Sequence, residues 1–248
     1  MTESLREIDN GAVLILALDR PERRNSMDLA VTRALANALD RAAVNDNVHV
    51  IVLQGHSHGF GAGSDLKALA GQSVGEMISD EREMAALARS FNRHPKPMIA
   101  AVDGYAIGGG AVYAASCDVV FSSANAKWAL PEVPIGWNVA YGIAAMQARL
   151  GAYTARHTLW GAEGFSGKTA YEIGLVDFLA KGSAAKAALD YANRLAALPP
   201  HAVAATKQLC AGPIDRNVVE MDARAMSSFE ECLTTSTAQS TLRKFGMV

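Results

Sequence analysis

The chain has 248 residues, 50% of them hydrophobic, which is enough to bury the core of one large domain or two small ones. Its 23 basic and 25 acidic residues give a net charge of -2 without long runs of either sign, which removes the electrostatic case for nucleic acid or an anionic membrane surface as partner. Three scattered cysteines (Cys117, Cys210, Cys232) make neither a disulfide framework nor a CxxC metal pair, and neither a signal-peptide core nor a bilayer-length apolar run is present, so a cytoplasmic, metal-free protein is expected.

In chain order, the apolar run Val13 to Leu18 ends at the turn-forming Asp19-Arg20-Pro21 and predicts a buried strand. From Met27 the spacing of Val31, Leu35, Leu39 and Ala42 predicts a helix, with Asn25 or Ser26 as its N-cap. Val48 to Leu53 is a second strand, followed by a Gly-rich loop that reaches Ser64. Met84, Leu87 and Phe91 mark another helix. Met98 to Val102 is a third strand, running through Asp103-Gly104 to the triple glycine Gly108-Gly109-Gly110, which opens an Ala-rich helix. Asp118 to Ser122 is a fourth strand. This alternation predicts an α/β layered core, and the almost wholly helical pattern beyond residue 140 reads as an appendage to it.

Both Gly-rich turns follow a strand and lead toward a helix, where free backbone N–H groups can face an anion. One such turn is weak evidence, since structural turns use glycine for the same reason. Two of them point to a built site.

The segments Leu18 to Asn25, Phe60 to Lys67, Lys96 to Gly110, Pro131-Glu132 and Ala170 to Asp177 together resemble the crotonases, the enoyl-CoA hydratase/isomerase superfamily. The resemblance covers nearly the whole chain. It implies a crotonase-like spiral of β-β-α units, with residues 1–195 as the spiral core and 196–248 as a helical trimerisation region continuous with it. It further implies a homotrimer or dimer of trimers, an acyl-CoA thioester as ligand, and no cofactor beyond the coenzyme A that the substrate carries. The backbone N–H groups of Ser64 and Gly109 are the implied oxyanion donors. Such donors stabilise the enolate formed when a proton leaves the carbon beside a thioester. Contacts to coenzyme A are implied for Ala62, Ser64, Asp65, Leu66 and Lys67, with Arg23 or Arg24 reaching the phosphates through its planar fork.

Hydratases of this family use two glutamates. This sequence keeps the one in the Pro-Glu segment, Glu132, and has Val112 where the other stands. Hydration needs water activated on one side and a proton delivered on the other, so the loss of one carboxylate disfavours it. A single glutamate suffices to move a double bond by taking a proton from C2 and returning it at C4. The expected function is therefore enoyl-CoA isomerisation through an enolate, with Glu132, Ser64 and Gly109 as the catalytic set. A bland alternative makes Glu132 a cap or salt-bridge partner at its turn. Hydration, decarboxylation, thioester hydrolysis and carbon–carbon cleavage are rival reactions on the same scaffold, and an inactive acyl-CoA-binding protein is the rival from another class. Trp137 and Tyr141 either shape the acyl pocket or pack on the core. The stretch Gly164 to Thr169 ends like a phosphate-binding loop but lacks its first glycine and reads as a turn between helices.

Overall fold

The computed structural model describes residues 4–56, 58–69 and 71–246, without the side chains of 212–217. Strand β1 (Leu5–Asn10) buries only Leu5 and pairs antiparallel with β2 (Val13–Leu18). Helix α1 (Leu29–Val44) starts later than the sequence suggests. Asp28, not Asn25 or Ser26, is its N-cap and accepts from the Val31 N–H at 3.0 Å. Asn25 instead adopts φ 52°, accepts from the Arg20 N–H (2.8 Å) and donates to the Gly59 carbonyl (2.7 Å). It therefore braces the first Gly-rich loop.

Next come β3 (Val50–Gly55), α2 (Val74–Arg93), β4 (Met98–Val102), β5 (Tyr105–Ile107), α3 (Gly109–Ser116), β6 (Val119–Ser123) and β7 (Lys127–Ala129). A 3-10 turn over Val133–Ile135 leads to α4 (Ile143–Leu159), interrupted at Gly151. The chain continues through β8 (Phe165–Ser166), α5 (Gly167–Glu172), β9 (Phe178–Ala180), α6 (Ala184–Ala196), α7 (Pro200–Leu233) and α8 (Ser236–Lys244).

The larger sheet has the order β1-β2-β3-β4-β6-β9, parallel except at β1, and the smaller has the order β5-β7-β8. Central strands with a neighbour on each side and helices on both faces must be apolar on both faces, which is why β3 and β4 read as unbroken runs. Val13, Ile15, Val50, Val52, Ile99 and Ala101 share one face with Ala184, Ala188, Ala192 and Ala196 of α6. Those alanines recur every fourth residue and form a smooth stripe against the sheet. The opposite face, with Leu16, Ile51, Leu53, Met98 and Ala100, packs into the main core with Leu35, Leu39, Met84 and Phe91 of α1 and α2.

The unit β4-β5-α3 gives one strand to each sheet and then a helix, and this pattern is the β-β-α spiral. Its function is positional: the end of β5 carries the triple glycine to the site. The stretch Gly164 to Thr169 corrects the sequence reading, since it is a strand and a helix start. Ser166 caps α5, and a Cβ on Gly167 would lie 2.0 Å from the Ser123 carbonyl oxygen, so packing on β6 accounts for that glycine.

Helix α7 lies against α2 and α4. Asp222 on α7 is buried, pairs with Arg89 of α2 and accepts from the Gly142 N–H (3.2 Å) ahead of α4. Removing one partner of such a pair leaves an uncompensated charge. Asp222→Ala is expected to lower the free energy of unfolding by roughly 3 kcal/mol, read from the denaturation midpoint at constant slope. Among the described residues, no helix is long and apolar enough to cross a membrane.

Candidate active site

The two Gly-rich loops are stitched together by main-chain hydrogen bonds. Tyr105 accepts from the Phe60 N–H at 2.9 Å, Gly61 accepts from the Ile107 N–H at 2.9 Å, and Gly61 bridges Ala106 in parallel. Gly63 takes φ 83°, and a Cβ there would stand 3.0 Å from the Ile107 carbonyl oxygen and 3.3 Å from the Gly109 nitrogen. Only glycine allows both the dihedral and the approach.

The direction of each key N–H follows from its own peptide. In a planar trans peptide the C=O and N–H point opposite ways. The Gly63 carbonyl accepts from the Met27 N–H (2.8 Å), so the Ser64 N–H is turned away from Met27. The Gly108 carbonyl accepts from the Val112 N–H (3.1 Å) inside α3, so the Gly109 N–H leaves by the open start of that helix. Among the described residues, neither N–H donates to a protein acceptor. Ser64 and Gly109 both line a cavity of about 90 Å³.

Glu132 comes to the same cavity from the loop after β7. Its side chain caps nothing, its Oε2 is buried without a partner, and its Oε1 lies 2.9 Å from where a Cβ on Gly108 would be. Burial, with a smaller contribution from nearby Glu81, pushes its carboxyl up to about 7. A carboxyl poised there can both take and return a proton near neutral pH. The capping and salt-bridge alternative finds no support in this geometry.

Trp137 and Tyr141 are core residues and cavity walls at once. The Tyr141 hydroxyl would lie 2.7 Å from a Cβ on Gly109, and Trp137 meets Phe229 of α7 edge-on. Four buried side-chain atoms without hydrogen-bond partners gather here: Glu132 Oε2, Tyr141 OH, Trp137 Nε1 and Asn138 Oδ1. Unmatched polar atoms destabilise a core by roughly 1–3 kcal/mol each, so their concentration in one cavity marks a place shaped for a ligand.

The residues expected to meet coenzyme A are dispersed by comparison. Ala62 and Leu66 line the cavity, and Lys67 is exposed beyond it. Asp65 is buried, and its carboxylate is engaged by Arg20 (3.2 Å) and Arg23 (3.5 Å), which holds that turn in place. Arg24 is exposed, with its guanidinium 5.0 Å above the Tyr105 ring. Val112 is buried against Gly142 and lines the cavity wall.

Sequence reasoning missed Glu81. Of the other acids near the loops, Glu83 pairs with Arg33 on the surface and Asp103 caps α6 through Ser183, Ala184 and Ala185. Glu81 lines the cavity, and its Oε1 accepts from the Ser64 hydroxyl at 3.0 Å. The Ser64 side chain therefore has a partner of its own, apart from its backbone N–H. The signal was present in the periodicity: Glu81 interrupts the buried stripe Met77, Ile78, Met84, Ala85, Ala88 on α2. Among the described residues, no group of three or more His, Cys, Asp or Glu is placed to hold a metal ion. A larger groove, of about 590 Å³, lies at the far end of α3 from Gly109. Its charged groups are already matched, Lys207 with Asp118 and Arg89 with Asp222, so it offers no comparable chemistry.

A family model described as enoyl-CoA hydratase/isomerase matches residues 8–247. The chain belongs to that family. It is 35% identical over 199 residues to the 2,3-dehydroadipyl-CoA hydratase of Escherichia coli (strain K12), covering 79% of this chain and 77% of that one. The short-chain-enoyl-CoA hydratase of Clostridium acetobutylicum is 27% identical over 243 residues, covering 95% and 91%. The crystal structure of an enoyl-CoA hydratase/isomerase from Mycobacterium paratuberculosis superposes with a TM-score of 0.87 at 26% identity, covering 98% of this chain and 99% of that one. As an enzyme of the enoyl-CoA hydratase/isomerase family, the protein acts on acyl-CoA thioesters, and the fold is the crotonase spiral expected from the sequence.

Proposed function

We propose that this enzyme moves a carbon–carbon double bond in a short acyl-CoA. The thioester oxygen lies between the N–H groups of Ser64 and Gly109. Glu132 takes the C2 proton of a 3-enoyl-CoA, and a proton added at C4 gives the conjugated 2-enoyl-CoA. The observation that carries this reading is Glu132 itself, beside the second donor loop, with its Oε2 buried and without a partner, its carboxyl raised by burial to about 7, and apolar Val112 in the wall. The cavity is small against the several hundred Å³ of common ligand pockets, and Trp137 and Phe229 bound it, which favours short acyl groups.

Coenzyme A then runs out along Ala62, Ser64 and Leu66 toward Lys67 and Arg24, and no other cofactor is called for. The near-neutral charge fits a cytoplasmic enzyme without nucleic-acid or membrane partners, and α7 and α8 are the elements we assign to trimer contacts.

Hydration is the second reading. It is favoured by Glu81, which brings a second carboxylate into the cavity, and by the hydratase activity of the relatives named above. The test is spectroscopic. Mixing with a short 3-enoyl-CoA is expected to raise the absorbance of the conjugated thioester. If that substrate gives no change while a 2-enoyl-CoA loses its absorbance, the isomerase reading fails and hydration takes its place.

A further inference from the structure

We propose that Glu81 is a second acid–base group of this cavity and that, beside the Ser64 hydroxyl, it delivers the proton to C4 of the enolate that Glu132 generates. This rests on the isomerase reading above and divides its two proton steps between two residues.

The two carboxylates approach from different sides. Glu132 stands against Gly108 of the second donor loop, and Glu81 is tied to the first through Ser64 Oγ. A thioester held between the two donor N–H groups thus has one carboxylate beside each donor. A packing role does not explain Glu81. Its place in the apolar stripe of α2 suits leucine or alanine, and among the described residues it forms no ion pair. Glu81 is half-buried, and withdrawing a carboxylate from water without a cation beside it is costly.

The groups facing Glu81 are Asp80 on its own helix, Ser64 from the loop, Tyr113 from α3, Glu132 after β7 and Tyr141 before α4. Burial lifts Glu81 to about 7, with the Ser64 hydrogen bond opposing and Asp80 adding to the rise, and burial likewise lifts Glu132 to about 7, where the charge of Glu81 adds to it. Near neutrality each group is thus poised between its two protonation states, so that one can act as acid while the other acts as base.

The proton count closes. Glu132 as carboxylate takes the C2 proton, and the C–H electron pair moves into C1=C2 as the thioester oxygen becomes negative. Protonated Glu81 gives its proton to C4. The C3=C4 pair forms the new C–H bond, the C1=C2 pair moves to C2=C3, and the carbonyl is restored. A proton then passes from Glu132 to Glu81, and the cycle can repeat.

The test compares wild type with Glu81→Gln, Glu81→Asp and Ser64→Ala on a 3-enoyl-CoA. Glu81→Gln, which keeps the shape, is expected to lower kcat about 10²-fold with KM changed by only a few fold. Glu81→Asp restores part of the loss. Acting as an acid, Glu81 must be protonated, so wild-type activity falls as pH rises through its titration. Ser64→Ala keeps the backbone donor but removes a hydrogen bond that favours ionised Glu81, so that falling limb moves to higher pH. The proposal is overturned if Glu81→Gln stays within twofold of wild type and Ser64→Ala leaves the limb in place, in which case the one-glutamate reading still stands. If wild type itself does not isomerise the substrate, both readings fall together.

Discussion

Glu132→Gln is expected to lower kcat for 3-enoyl-CoA isomerisation by about 10² to 10⁴-fold. The amide preserves shape and burial but cannot accept the C2 proton, while the donor loops that hold the thioester stay intact. KM should therefore move far less than kcat, as befits a group that acts in the transition state. In the wild type Glu132 must be ionised to act as base, which gives the pH profile a rising limb near 7, opposite the falling limb assigned to Glu81. The variant should lack that rising limb. Stability gives an independent check. A carboxyl raised from the ordinary value of 4.5 favours the folded state when protonated, and that contribution is lost as pH rises from about 4.5 through about 7. Glu132→Gln does not titrate, so well above pH 7 it should be more stable than wild type, by roughly 3 kcal/mol. Wild-type turnover in Glu132→Gln, measured at pH 8, would sink the assignment.

The second large effect is expected at a residue with no side chain. Gly63→Ala introduces a methyl group 3.0 Å from the Ile107 carbonyl oxygen and 3.3 Å from the Gly109 nitrogen, at a φ of 83° that alanine disfavours. The strain should lower stability by about 1–2 kcal/mol, whereas the displacement of a donor should lower kcat about 10² to 10³-fold. Circular dichroism and a melting curve separate the two effects. A protein that melts several degrees lower yet turns over at the wild-type rate would show that the spacing of these loops does not matter to catalysis. Ser64→Ala makes a useful contrast, because it removes a side chain at the next position and leaves both donors where they are.

These residues also show what a sequence can and cannot convey. Val13 to Leu18 and Met98 to Val102 were legible to the residue, since strands buried on both faces must be uninterruptedly apolar and end at turn formers. β1 was not legible: Leu-Arg-Glu-Ile-Asp-Asn buries one side chain, and a charged edge strand carries little apolar pattern. The cap of α1 was misplaced because Asn25 is as good a cap as Asp28 in isolation. Only tertiary structure shows its side chain bonded to Gly59. In the candidate site, the paired glycine loops are local patterns, and Glu132 was singled out by the resemblance of its Pro-Glu segment. Glu81 could not be placed by motif, since it reaches Ser64 across a turn of the fold from the middle of a helix. What betrays it is an acid on an apolar face, a contradiction that only a site or a partner resolves.

In the reading proposed above, the part of the cavity that receives negative charge is made of main-chain atoms, fixed by hydrogen bonds between two loops, while the walls assigned to the acyl group are side chains such as Val112, Trp137, Tyr141 and Phe229. Substrate range and charge handling are therefore separately heritable. Point substitutions can wander among the walls and alter which acyl group fits without touching the anion site. A single-residue insertion between Gly61 and Ser64, by contrast, would break the register of the loops and end enolate chemistry for every substrate at once.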